Sequence, residues 1–145
     1  MKLLIDTNVI LDVLFNREPF NSDACEILKL SALSELELFV SASAITDIYY
    51  IVRKELKDSE KSRDAIKRIL EIVNIAGVSS AEISNALSLA WKDFEDSVQY
   101  SVAYLQGMDG IVTRNPRDYE GSRVKIYEPQ DALQNFGRDD QEMDR

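Results

Sequence analysis

The sequence contains no histidine and only one cysteine, Cys25. A histidine general base, a Ser-His-Asp triad, a disulfide and a zinc site of the usual ligand type are therefore excluded. Any catalysis must use carboxylates, hydroxyls, amides, lysine or arginine. Cys25 lies on an apolar helical face, and we expect it to be a small core residue without reactivity.

Long hydrophobic runs are also missing. Lys2 is followed by only three apolar residues before Asp6, which is too short for a signal peptide. No later stretch approaches the roughly 20 apolar residues that a membrane span requires. We therefore expect a cytoplasmic protein that does not enter a membrane.

Positive charge is scarce, because 17 basic residues stand against 26 acidic ones and the net charge is −9. This balance disfavours attraction of nucleic acid or anionic membranes over long distances. Contact with a polyanion must therefore come from local concentrations of positive charge.

The chain does contain a regular alternation of short apolar runs and amphipathic stretches. Its 145 residues suit one compact domain. Strand-like runs begin near residues 3, 38, 75, 110 and 124, and the segments between them have helical spacing. This pattern predicts an α/β fold over residues 1–136, a three-layer α/β/α sandwich with a central, mostly parallel sheet. Residues 137–145 are acidic with almost nothing to bury, and we predict a disordered tail there.

Helix positions follow from candidate caps and apolar faces. Gly107 is expected to end the helix that DFED opens, and RNPRDYEGS is expected to be a loop. The predicted helices are 9–15 capped by Asp6 or Thr7, one from Asn21 or Ser22, one within 41–56 capped by Ser43 or Thr46, 62–73, one from Ser79 or Ser80, 93–106, and 130–136.

Acidic side chains recur at the carboxyl edge of this predicted sheet, which is where ligands bind in parallel α/β folds. Carboxylates crowded into one partly desolvated cleft repel each other unless protons or a divalent cation neutralise them. Mg²⁺ or Mn²⁺ prefers carboxylate oxygens and can activate water against a phosphodiester. The residues at this edge are Asp6 after the first strand, Asp47 in the first turn of the next helix, Asp93 and Asp96 at a later helix start, and Asn115 and Asp118 after GIVT.

Each of these residues also has a purely structural interpretation, which the spacing alone leaves open. Asp6 could cap the helix that follows it, and Asp47 could stabilise a helix dipole. Asp93 and Asp96 share a helical face at a helix start, so that one could cap while the other coordinates. The two residues after GIVT could be ordinary turn residues.

Taken together, three stretches resemble the PIN-domain nucleases, and especially the VapC-like toxins of bacterial and archaeal toxin–antitoxin pairs. They are LLIDTNVILDVLF, SASAITDIYYIV and DFEDSVQYSVAYLQGMDGIVTRNPRDY, and they run from residue 3 to residue 119. DTNVILD is moderately specific alone, and its combination with DFEDSVQ and IVTRNPRDY is strong. The resemblance implies a parallel-sheet sandwich and Mg²⁺-dependent cleavage of RNA that leaves 5′-phosphate and 3′-hydroxyl ends. It also implies a homodimer and a cognate antitoxin.

The resemblance further implies roles for individual residues. Asp6 matches the first metal-binding acid, and Asp96 matches the acid that opens the later helix. Asp47 stands where the family usually has Glu, and its shorter side chain favours a water bridge over direct coordination. The fourth acidic position falls at Asn115 or Asp118. The expected catalytic residues are Asp6, Asp47, Asp96 and Asp118, of which Asp6, Asp96 and Asp118 bind the metal, and the supporting residues are Thr7, Asn8, Asp93, Thr113 and Asn115.

Other polar and aromatic residues have weaker claims to the site. Asp12 is about a turn and two thirds beyond Asp6 on the same helix, and we expect it at the surface or behind the ligands. Arg114, beside the acids, is the best candidate for contact with RNA phosphate. Tyr100 and Tyr104 are expected in the core or a dimer interface rather than stacked on bases. The other basic candidates are Arg17, Arg53, Lys54 and Arg117.

Two other functions fit parts of the sequence. Asp at 47 and Asn at 115 suit a PIN-like module that binds RNA or protein without cutting. Phosphoryl transfer through an aspartyl phosphate also occurs on similar sheets. Phosphatases of that kind need an Asp two residues after the nucleophile, where this chain has Asn8, and the acid pair and late Lys of receiver domains are not in register. RNA hydrolysis is therefore the main prediction.

Overall fold

A computed structural model describes the backbone of residues 1–33 and 36–143, and the side chains of these residues except 33 and 138–143. Within this part of the chain, five strands form one sheet. They are β1 (Lys2–Ile5), β2 (Glu37–Ser41), β3 (Asn74–Ala76), β4 (Gly110–Val112) and β5 (Ile126–Tyr127). Their order is β3-β2-β1-β4-β5, and every neighbouring pair is parallel.

α-Helices connect the first four strands along the chain, and a longer connection with a 3₁₀ turn joins β4 to β5, as parallel pairing requires. None of the helices in the described residues is long and apolar enough to span a membrane. Their bounds are α1 (Thr7–Leu14), α2 (Asn21–Leu33), α3 (Ala42–Leu56), α4 (Ser59–Leu70), α5 (Ser80–Leu89), α6 (Phe94–Leu105) and α7 (Pro129–Met143), with a 3₁₀ turn at Pro116–Tyr119.

The sheet separates two buried clusters, because alternate side chains of a strand point to opposite faces. Leu3 and Ile5 of β1 pack with residues of α1 to α4 and α7. Leu4 packs on the other face, with residues such as Val98 of α6 and Ala86 of α5. The predicted three-layer sandwich is confirmed, and its sheet is parallel throughout.

Three local predictions are wrong. Ser41 caps α3 in place of the predicted Ser43 or Thr46, because its Oγ accepts the N–H of Ser43 at 3.2 Å. RNPRDYEGS contains a 3₁₀ turn where a loop is predicted, since Pro116 presets φ for the first helical position. Cys25 is half-buried and belongs to neither core cluster.

The C-terminal helix is longer than predicted. It extends to Met143, whereas the sequence predicts an end near Phe136. Phe136 packs against Tyr127 with ring centroids 5.3 Å apart. The Arg, Gln, Glu and Met of the additional segment have good helix propensity. The predicted disorder of residues 137–145 stays a prediction for the last two, which lie outside the described residues.

Gly110 permits close packing between β4 and its neighbours. A Cβ at this position would lie 2.5 Å from Tyr127 Cε2 and 3.0 Å from Leu3 Cδ2. Leu3 is fully buried, so the clash cannot be relieved without disturbing the core. We expect Gly110→Ala to lower the free energy of unfolding by about 1–3 kcal/mol in urea denaturation.

Gly77→Ala is the matched control for this substitution. Its Cβ would meet nothing within 4 Å, and its φ is not positive. An equal loss of stability in the two alanine variants would contradict the packing role of Gly110.

Candidate functional site

The carboxyl ends of β1 and β4 bring the first polar residues together. Asp6 follows β1 and is only 5% exposed, and its N–H donates to the carbonyl oxygen of Val112 at 2.9 Å. Thr113 follows β4 and is fully buried, and its hydroxyl donates to Asp6 Oδ2 at 2.7 Å. Parallel pairing of the two strands thus joins a carboxylate and a hydroxyl that are 107 residues apart.

Asp6 occupies the N-cap position of α1, but its side chain makes no capping hydrogen bond. Oδ1 accepts from Gln99 Nε2 at 3.0 Å, and Oδ2 accepts from Asn8 Nδ2 at 3.4 Å as well as from Thr113. The carboxylate is therefore directed into the site and away from the helix end. An ionised carboxylate has about four acceptor positions, so these three donors leave room for a further ligand.

The start of α6 gives the two aspartates of DFED different environments. Asp93 is the N-cap, and its Oδ1 accepts the N–H of Asp96 at 3.1 Å. Because Asp93 satisfies the helix end, the carboxylate of Asp96 is free to face the cleft. The prediction that one of this pair caps the helix is confirmed, and metal coordination by the other stays a prediction.

Asp96 is half-buried among other acids. Desolvation raises the pKa of its carboxyl to about 7, with further contributions from the negative charges of Asp93, Asp6 and Asp118. The carboxyl therefore titrates near neutral pH and not in the acidic range usual for Asp. Negative charge is in excess in this cleft.

Glu95 joins these acids, although the sequence analysis did not single it out. A hydrogen bond with Asp47 raises the pKa of the Glu95 carboxyl, and burial and the charge of Asp47 raise it further. Asp47 lies in the second turn of α3, not in the first turn as predicted, because the helix begins at Ala42. Asp47 is therefore oriented towards α6 and is not needed at its own helix start. The signal for Glu95 was its place beside Asp96 in the first turn of α6.

Two buried residues, Gln99 and Tyr119, form the floor of the site and were also missed. Gln99 Nε2 donates to the Tyr119 hydroxyl at 3.3 Å as well as to Asp6. Burial, followed by the charges of Asp6 and Asp96, raises the pKa of Tyr119 above its usual range, so that its hydroxyl stays neutral. Gln99 lies three residues after Asp96, and this shared helical face was the signal available in the sequence.

An open cleft of about 610 Å³ adjoins the acids, and Asp93, Asp96 and Asp118 line it. Asn115 instead lines a second recess of about 450 Å³. The charge of Asp118 also acts on the pKa of Asp96. The structure therefore brings Asp118, and not Asn115, to the other acids.

Some of the predicted supporting residues are hydrogen-bonded to the site around Asp6, and one is not. Asn8 Nδ2 lies 3.4 Å from Thr113 Oγ1, and the N–H of Asn115 donates to the same oxygen at 3.1 Å. Thr7 is half-buried at the first position of α1. Its side chain makes no hydrogen bond to the acids within residues 1–33 and 36–143. The structure therefore links Asn8, Thr113 and Asn115 to Asp6, but not Thr7.

Asp12 is fully buried, which excludes the surface position and leaves the other predicted alternative, a place behind the ligands. Its Oδ2 accepts from Arg114 Nε at 2.6 Å, and its Oδ1 lies 3.9 Å from Arg17 Nη1. Helical spacing could not predict this pairing, because it depends on where the chain emerges from β4, 102 residues later. The guanidinium predicted to contact RNA is thus anchored by a buried carboxylate.

The remaining aromatic and basic candidates are also separated by the fold. Tyr100 is 4% exposed, which confirms its core position, whereas Tyr104 is 41% exposed and stacks on Tyr100 with centroids 5.6 Å apart.

Arg53 and Lys54 lie in the last turn of α3. This helix leaves the carboxyl edge of the sheet and is about 22 Å long. The two basic residues therefore lie roughly 9–11 Å along the helix beyond Asp47, on the side away from the sheet edge.

The donor chemistry of the site fits a hard divalent cation. The acids offer only oxygen ligands, which Mg²⁺ and Mn²⁺ prefer. Burial and then the neighbouring carboxylates raise the pKa of Asp96, and a bound cation would offset both effects. In the part of the chain that the structure describes, no group of three or more acidic or cysteine side chains is placed to hold a metal ion. Mg²⁺ keeps several waters and needs only one or two carboxylates. Asp6 and Asp96 meet that requirement.

Comparison with known proteins agrees with this geometry. The family model of the PIN domain matches residues 2–117. The chain belongs to the PIN domain family. The matched segment contains Asp6, Asp47 and Asp96 and ends within the 3₁₀ turn. The predicted family membership is confirmed.

Individual relatives of this PIN domain include a curated protein and several solved structures. Ribonuclease VapC1 of Aquifex aeolicus (strain VF5) is 28% identical over 123 residues, which covers 81% of this chain and 84% of the relative. DNA-bound VapBC from Salmonella typhimurium has a TM-score of 0.70 at 17% identity and covers 89% of this chain and 98% of that one. A toxin–antitoxin complex from Klebsiella pneumoniae has a TM-score of 0.66 at 20% identity and covers 88% and 97%. The structural similarities establish a shared fold.

Proposed function

We propose that this PIN domain is a metal-dependent endoribonuclease that hydrolyses RNA phosphodiester bonds. The supporting observation is the convergence of acids beside an open cleft, where burial and then the neighbouring negative charges raise the pKa of Asp96 to about 7. Carboxylate crowding without histidine suits cation-assisted phosphoryl chemistry. Similarity to a protein named Ribonuclease VapC1 supports RNA as the substrate class.

In this proposal, Asp6 and Asp96 hold Mg²⁺ or Mn²⁺, with Asp118 as a further ligand and Asp47 acting through a bridging group. The bound cation would neutralise phosphate charge and polarise the phosphoryl oxygens. The protein's contribution is to keep the carboxylates fixed. Three residues do so through contacts already described: Thr113 and Gln99 fix the orientation of Asp6, and Asp93 caps α6 so that Asp96 remains free.

The first test is cleavage of a mixed RNA pool by the full chain. We expect discrete cuts in excess Mg²⁺ or Mn²⁺ and none in EDTA, because the acids alone carry too much negative charge to approach a phosphodiester. Sequencing of the products should give 5′-phosphate and 3′-hydroxyl ends. Cleavage that persists in EDTA would contradict the mechanism.

Two observations favour the alternative of a catalytically weakened PIN-like module that binds RNA or protein. Asn115 lines the second recess, and among the described residues no three acids are placed to hold a metal ion. The same cleavage assay separates the two functions. Binding of RNA without cutting under any divalent cation would establish the alternative.

We also propose that the chain is the toxin of a toxin–antitoxin pair and acts as a cytoplasmic homodimer. Its structural similarity to VapBC and to a toxin–antitoxin complex supports an antitoxin partner. Exposed apolar side chains on α5 and α6, such as Leu87 at 66% and Leu105 at 46% exposure, offer surface that a second copy could bury.

A further inference from the structure

The second recess lies near Asp6, because Asn115, which lines it, donates its N–H to Thr113 Oγ1, a direct neighbour of Asp6. Asn8 connects the two, because its side chain contacts Asp6 at 3.4 Å and its Oδ1 accepts the N–H of Arg114 at 3.2 Å. The side chain of Arg114 then lines the recess together with Phe20 and Asn115, and with the acidic residues Asp23 and Glu128. An RNA strand that crosses Asp6 would therefore pass from the acidic cleft to Arg114.

Three contacts hold Arg114 in place. Its backbone N–H binds Asn8, its Nε donates to Asp12 Oδ2 at 2.6 Å, and its guanidinium carbon lies 4.1 Å from the ring centroid of Phe20. The side chain is 23% exposed. In residues 1–33 and 36–143, no hydrogen bond or ion pair involves its two terminal nitrogens. The two terminal nitrogens of the Arg114 guanidinium are thus held in a fixed orientation and can donate hydrogen bonds to a ligand.

Burial of the Asp12 carboxylate lowers the stability of the fold, because the charge is removed from water. Its side chain is 1% exposed, and its Oδ1 is buried with no hydrogen-bond partner among the described residues. The other nearby cation, Arg17, is 3.9 Å away. A buried ion pair of this kind is often no more stabilising than apolar residues of similar volume. Its specific effect is to fix the direction of the Arg114 guanidinium.

We propose that Arg114 binds the phosphate of a nucleotide flanking the scissile bond of single-stranded RNA, and that buried Asp12 is the positioning residue for this contact. The inference rests on the proposed function, because it takes RNA as the ligand. A guanidinium presents paired donors that match a phosphate, and one that is already fixed loses less conformational entropy on binding. Such a contact would also offset the repulsion between RNA and a chain of net charge −9.

The test measures binding of a fluorescein-labelled, mixed-sequence, 20-nucleotide single-stranded RNA to the full chain by anisotropy in EDTA. We expect Arg114→Gln to weaken binding by about tenfold. The slope of log K against log salt should also become shallower by about 0.7, since one phosphate contact is lost. Lys2→Gln removes the same charge at the start of β1, on the opposite edge of the sheet from the site, and should change neither quantity.

Asp12→Asn should weaken binding by about threefold to fivefold when Arg114 is present and by nothing when Arg114 is already Gln, as expected for residues that act as a unit. Additive losses in the double variant, or wild-type affinity in Arg114→Gln, would overturn the inference. If Asp12→Asn does not fold, Arg114→Lys replaces it. Lysine cannot bind Asp12 and a phosphate at once, so wild-type affinity in this variant would overturn the positioning role.

Failure of this inference is distinguishable from failure of the proposed function. A chain that binds the oligonucleotide through Arg114 but never cuts RNA would overturn the proposed hydrolysis only. A chain that cuts RNA in Mg²⁺ but binds the oligonucleotide independently of Arg114 would overturn the inference only.

Discussion

Asp6→Asn should reduce RNA cleavage by roughly a thousandfold, the order expected when a metal-binding or charge-stabilising group is removed. The side chain of Asp6 is buried, with 5% exposure. Thr113 and Gln99 fix its carboxylate through hydrogen bonds of 2.7 Å and 3.0 Å. Asn has the same shape but carries no charge. The cation would therefore lose its best-oriented ligand while the fold is retained.

The control for this variant is Asp109→Asn, which makes the same change in net charge. Asp109 precedes β4, and its Oδ2 accepts the N–H of Lys2 at 2.8 Å, at the amino edge of the sheet. Initial rates on the mixed RNA pool in Mg²⁺ measure the effect, with circular dichroism as a check on folding. Equal losses of activity in the two variants would show that Asp6 has no special role.

Asp96→Asn should make the protein inactive but more stable at neutral and alkaline pH. Burial and neighbouring acids raise the pKa of Asp96 from 3.8 to about 7. The folded state therefore binds a proton more tightly than the unfolded state, so that wild-type stability falls as pH rises between these two values. Because Asn has no charge to desolvate, the variant lacks this loss. The half-buried carboxylate is screened by water, and we expect a gain of about 1–2 kcal/mol near pH 8.

Urea denaturation in EDTA measures this gain as a function of pH. The two proteins should be almost equally stable near pH 4, where the carboxyl is largely protonated in both states. Asp93→Ala is the control at the same helix start, and it should lose about 1 kcal/mol because a cap is removed. Mg²⁺ should stabilise the wild type by mass action and the Asp96→Asn variant much less. A variant that is no more stable than the wild type near pH 8 would contradict the crowding of the acids.

Local patterns predicted the parts of the fold that depend on neighbouring residues. The apolar run before Asp6 predicted β1, and the parallel sheet placed Asp6, Thr113 and the start of α6 at one edge. The helix start at DFED could be recognised with one of Asp93 and Asp96 as its cap, because capping depends on the next three residues; the structure shows that Asp93 is the cap. The positions of Asp96 and Asp118 beside the same cleft follow from the order of the strands.

The remaining features depend on tertiary contacts, which the spacing of residues along the chain does not predict. Gln99 and Tyr119 belong to the site because α6 and the 3₁₀ turn meet over Asp6. Asp12 is buried because the chain returns with Arg114 after β4. Asp47 pairs with Glu95 because two helices from distant parts of the chain approach each other. Each of these required the tertiary arrangement.

A crystal structure of the full chain grown with Mn²⁺ is the most direct test of a shared cation site, because anomalous scattering locates the ion. We expect a peak roughly 2.0–2.2 Å from a carboxylate oxygen of Asp6 and from one of Asp96. Manganese bound elsewhere, or carboxylates of Asp6 and Asp96 that point into separate regions, would contradict a nuclease built on these two residues.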